Sequence, residues 1–82
     1  MKLIINLDQM NTKGKLLNYF VNLLPEMYSP NYDALIDTLT NFEAKLTLYF
    51  EDFESFENTD DLSEIFDIIT RQNSNIIVYW TK

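Results

Sequence analysis

The sequence predicts a small α/β domain, a three-stranded parallel sheet packed against three to four helices, on three observations. Short runs of β-favouring residues open, divide and close the chain. Segments with the helical spacing of apolar residues lie between them, and each is long enough to carry the chain back across a sheet, as parallel pairing requires. The length of 82 residues falls below the roughly 100 to 200 of a typical domain, so residues 1–82 read as one domain without a linker or repeat. Apolar residues at 46% and aromatics at 15% suffice for one core and argue against disorder.

The first strand is expected over Leu3 to Asn6. Met10, Asn11 and Thr12 then offer caps for a first helix, in which Leu16, Leu17, Phe20, Leu23 and Leu24 recur on one face until Pro25 stops it. A loop from Pro25 to Pro30 leads to Asn31, a cap for a second helix over Tyr32 to Asn41 with Leu35, Leu39 and Phe42 inward. Leu46, Leu48 and Phe50 alternate with Thr47 and Tyr49, which is strand periodicity. Glu51 to Phe56 reads as a short helical turn. The last helix starts near Asp60, with Asp61 and Glu64 at capping-box spacing and Leu62, Ile65, Phe66 and Ile69 on its inner face. Ile76 to Trp80 closes the chain as the third strand.

The absences narrow the chemistry. Without Cys there is no thiol nucleophile, disulfide or thiolate zinc site, and without His no imidazole base or ligand. Thirteen acidic against six basic residues give a net charge of −7, which opposes binding to nucleic acid or an anionic membrane and favours a basic protein partner. The opening run Met1-Lys2-Leu3-Ile4-Ile5 is broken by Asn6 and Asp8, too early for a signal peptide or membrane span. A cytoplasmic protein is expected.

Asp33 and Asp37 stand four apart on the second helix, one turn from each other on one outward face with Thr40, while Ile36 lies at the edge of the apolar arc. Such a pair is ordinarily a solvated helix face. A glycosidase-like acid/base pair is disfavoured in a chain too small for a substrate cleft, so no enzyme activity, cofactor or metal is expected. From Glu51 to Asp67 eight acidic residues occupy 17 positions without Lys or Arg, which reads as a solvated flank of the last helix. EF-hand ligand spacing with its central Gly is missing there, and Gly14 is the one glycine of the chain. Tyr79 and Trp80 read as core and sheet-face residues rather than a base-stacking platform.

The segment Leu24-Pro25-Glu26-Met27-Tyr28-Ser29-Pro30-Asn31-Tyr32-Asp33-Ala34-Leu35-Ile36-Asp37-Thr38-Leu39-Thr40 resembles the signature of the barstar family, intracellular inhibitors of barnase-type ribonucleases. The family reads roughly Pro-x-Tyr-Tyr-Gly-x-Asn-x-Asp-Ala-Leu-Trp-Asp-x-Leu-Thr there, and its order of elements fits nearly the whole chain. The chain departs from that pattern at Met27, Ser29 and Ile36, which replace a tyrosine, the glycine and the tryptophan. Ile68 falls where the family has a late acidic residue, and the first helix is about two residues shorter. The resemblance implies a barstar-like fold and a role as ribonuclease inhibitor or immunity protein, monomeric when free. Asp37 would enter the enzyme's phosphate site and Asp33 would meet a second cation. Ile36, Tyr28, Asn31, Tyr32, Met27 and Thr40 would line the contact. The departures also admit a scaffold retargeted to another basic protein.

Overall fold

Each α-helix begins where a side-chain oxygen is available to an otherwise orphaned backbone N–H. In a computed structural model describing Met1 to Lys82, the elements follow in the order β1 (Lys2–Asn6), α1 (Lys13–Leu23), α2 (Tyr32–Thr40), β2 (Leu46–Glu51), a 3-10 turn (Phe53–Ser55), α3 (Thr59–Gln72) and β3 (Ile76–Trp80). Thr12 accepts from the Lys15 N–H and caps α1, and Asn31 accepts from Ala34 and caps α2. The α-helices number three, the lower end of the three to four read from the sequence, with one 3-10 turn beside them.

The start of α3 differs from the capping-box reading. Its cap is Asn58, whose side-chain oxygen accepts the Asp61 N–H at 3.1 Å while its Nδ2 donates to Asp61 Oδ2 at 2.9 Å. Asp61 is therefore the acid that answers the cap, and the cap itself lies three residues earlier. An asparagine amide makes both bonds with its side chain alone, which Asp61 followed by Glu64 could not do.

The three strands form one sheet in the order β1-β2-β3, every pairing parallel. Lys2 lies opposite Thr47 and Asn6 opposite Glu51, while Leu46 lies opposite Ile76 and Phe50 opposite Trp80. This register aligns Ile5, Leu46, Leu48, Phe50 and Ile76 on one face, where they meet Leu16, Leu17 and Phe20 of α1, Ala34, Leu35 and Leu39 of α2, and Leu62, Phe66 and Ile69 of α3. Burying each Leu, Ile or Phe contributes about 1.5–3 kcal/mol, which is what holds so short a chain together. Phe50 sits at the centre, its ring 5.0 Å from Phe66 and 4.8 Å from Trp80.

All the helices pack on that face. The opposite face stays open, although parallel sheets are ordinarily covered on both sides. Ile4 is 60% and Tyr79 is 49% exposed there, with Tyr79 stacked on Tyr49 at 5.0 Å and the Lys2 ammonium 5.0 Å from the Tyr49 ring. Asp52, at φ 55°, takes the one left-handed backbone position among the non-glycine residues, turning the chain from β2 into the 3-10 turn. No helix is long and apolar enough to cross a membrane.

Candidate functional site

The loop and helix from Met27 to Asn41 are fixed at both ends by polar side chains. At the start, Asn31 Oδ1 accepts the Ala34 N–H at 2.7 Å and Asn31 Nδ2 donates to Ser29 Oγ at 3.1 Å, so one side chain ties the helix to the loop. At the end no cation lies in the last turn, and amides and hydroxyls satisfy the carbonyls instead. The Thr40 hydroxyl donates to Ile36 O at 2.7 Å, and Asn41 Nδ2 donates to Asp37 O at 2.8 Å. Asn73, the C-cap of α3, reaches across to donate to both Leu39 O and Phe42 O at 2.9 Å.

Between these anchors Ala34, Leu35, Thr38 and Leu39 are buried, and the opposite side of the helix carries Asp33 and Asp37 into solvent. Neither carboxylate is paired with a cation of the chain. The ion pairs are Arg71 with Asp67 at 3.0 Å and Lys82 with Glu54 at 3.6 Å, both on other elements. Asp37 Oδ1 has only a 3.4 Å approach from Asn41 Nδ2. Asp37 also lines a hollow with Glu26, Thr38, Phe42 and Glu43.

Glu26 and Glu43 were not singled out in the sequence, because they lie 11 residues before and six after Asp37 and only the fold brings them to one hollow. Asn73 was missed for the same reason, at a separation of 34 residues from Leu39.

The neighbouring aromatics divide. Tyr28 is 69% exposed and free to make contacts. Tyr32 is half-buried, with the Lys13 ammonium 4.7 Å from its ring centre. Burial raises the Tyr32 phenol above its usual pKa of 10.0, and the carboxylates of Asp61 and then Glu57 push it further the same way. Tyr32 therefore marks the seam where the starts of α1, α2 and α3 meet. Glu57 Oε2 also accepts the Lys13 N–H there at 2.6 Å.

Ile36 is half-buried against the core and keeps part of its side chain at the surface, and Thr40 is likewise half-buried. Met27 corrects the sequence reading. It is 4% exposed and belongs to the core cluster, so its side chain is not available to line a contact. The cause is the loop itself, whose Met27 N–H donates to Leu24 O at 3.0 Å and turns the apolar side chain inward.

This face presents carboxylates, an exposed phenol and an asparagine amide on a rigid helix. Its hydroxyls and carboxylates have no imidazole or thiol beside them, and no group of three or more His, Cys, Asp or Glu side chains is arranged to hold a metal ion. What it can do is neutralise and cover a cationic surface. A family model described as Barstar (barnase inhibitor) matches residues 1–78. No curated protein matches the sequence.

Proposed function

Because the chain belongs to the barstar family, we propose that it is an intracellular ribonuclease inhibitor or immunity protein that blocks the basic active site of a barnase-type ribonuclease. The observation that carries this reading is the exposure of Asp33 and Asp37 on one side of α2 with no ion pair to a cation of the chain. A carboxylate left without a cation in the free protein loses no internal pair on binding, so it can stand in for an RNA phosphate among the enzyme's Arg, Lys and His side chains. Asp37, flanked by Glu26 and Glu43, takes the central position. Asp33 pairs at the rim, and Tyr28, Asn31, Tyr32, Ile36 and Thr40 shape the contact around them.

The mechanism is steric and electrostatic blockade by one-to-one binding of a cytoplasmic monomer. It requires no chemistry, cofactor, nucleic acid or membrane. Isothermal titration against a barnase-type ribonuclease tests it. Asp37→Ala should weaken binding about 30-fold or more, the effect of losing a hot-spot charge worth about 2 kcal/mol, a general range that itself draws on this class of complex. Glu64→Ala, on the exposed side of α3, should change affinity less than about threefold. Absence of binding to several such enzymes would defeat the proposal.

A second reading, in which the same face serves a different basic protein, is favoured by Ile36 standing where the family carries tryptophan and by the burial of Met27. Recovery of a non-nuclease partner in a pull-down that Asp37→Ala abolishes would select it.

A further inference from the structure

The last strand lacks the devices that keep a sheet edge from pairing. β3 reads Ile76-Ile77-Val78-Tyr79-Trp80, all β-branched or aromatic, with no charge and no proline, and it is paired on its β2 side alone. Edge strands ordinarily carry Lys, Pro or a bulge. At the two ends of its ladder the Leu46 N–H donates to Asn75 O at 2.9 Å and the Thr81 N–H to Phe50 O at 2.8 Å. Parallel alternation between those points turns the backbone of Ile77 and Tyr79 toward β2 and that of Val78 and Trp80 toward the free edge.

A groove runs beside this edge. Phe66, Val78 and Trp80 form its apolar floor, and α3 raises a wall of Asp60, Glu64 and Asp67 above it. Trp80 faces the core, 4.8 Å from both Phe50 and Phe53 and 6.1 Å from Phe66 of α3, yet remains 36% exposed. Arg71 is the one cation paired to the wall, through Asp67. None of the residues proposed for ribonuclease binding lines the groove.

We propose that the free edge of β3 and this groove form a second docking surface, which takes an extended basic segment of a partner protein as a fourth strand. Its backbone pairs with Val78 and Trp80. Its inward side chains meet floor and wall together, which suits Lys or Arg, with the aliphatic stem lying on Trp80 and the charged head reaching Glu64 or Asp67. Its outward side chains continue the open face beside Ile77 and Tyr79 and are apolar. Charge selects this occupant over a second copy, because two β3 edges paired about a two-fold axis would bring two acidic α3 walls together.

The test uses the full chain and the capped peptide Lys-Val-Lys-Val-Lys-Val-Lys. Titration should shift Trp80 fluorescence and move the amide resonances of Val78 and Trp80 while leaving α2 unmoved, and Asp37→Ala should not change the affinity. Replacing the peptide lysines by glutamate, or making Glu64→Lys in the protein, should weaken binding about tenfold or more. N-methylation of alternate peptide residues should abolish binding in one frame only, since one set of amides faces β3. Val78→Pro removes an N–H that no ladder bond uses, so circular dichroism should show an intact fold that no longer binds. The proposal is overturned if no peptide binds, if neither N-methylated frame loses binding, if the moved resonances lie on α2, or if the chain instead dimerises through β3.

Discussion

Asp37 lies in the last turn of α2, at the negative end of the helix dipole and one turn from Asp33, with no cation to offset either effect. Its position does not serve the free protein. Asp37→Asn should therefore leave stability unchanged or raise it by about 0.3–0.5 kcal/mol in a denaturant titration, while binding to the proposed ribonuclease partner falls as for Asp37→Ala. Asp33, in the first turn, is on the favourable end, and its loss should instead lower stability slightly. Tyr32 gives a pH signature. With its folded pKa above the usual 10.0, the unfolded chain releases the phenolic proton first, so stability is unaffected at neutral pH and falls as pH rises from about 10 toward the folded value. Tyr32→Phe should flatten that alkaline decline in thermal melts recorded above pH 9.

At the scale of elements, α2 is positioned by its ends. Asn31 was legible as its cap because Asn before an apolar-periodic run has a local meaning, and Thr12 before α1 was legible for the same reason. Asn73 was not, since its two bonds to Leu39 O and Phe42 O cross between elements. Asn73→Ala removes the side-chain donor to Phe42 O and to Leu39 O, of which Leu39 O keeps the Phe42 N–H at 3.3 Å, and should cost about 1–3 kcal/mol, seen as a lower denaturation midpoint with unchanged slope. Some of that loss should reappear as faster dissociation of the ribonuclease complex, because the helix that bears Asp37 is held less firmly. The displaced start of α3 has a similar origin. A capping template identifies acids near a helix start but not which of several neighbours, here Asn58, makes the bonds.

At the scale of the whole molecule, the net charge of −7 creates a field that draws a basic partner from a distance. Stopped-flow association with the ribonuclease should slow about tenfold or more between low salt and 0.5 M salt, while dissociation changes little, because screening acts on encounter more than on the formed contact. The same field should act on the β3 groove, whose wall is acidic as well.

The sequence by itself determined the order of elements, their alternation between periods of two and 3.6 residues, the acidic balance and the outward placement of Asp33 and Asp37, because each of these follows from residues close together along the chain. Tertiary structure alone decided that Met27 turns into the core, that Glu26 and Glu43 join Asp37 at one hollow, and that Asn73 anchors α2. It also decided that one sheet face and the edge of β3 stay open. Those outcomes depend on which surfaces the helices reach once packed. Local periodicity specifies that a face is apolar, and only the packed arrangement specifies what covers it.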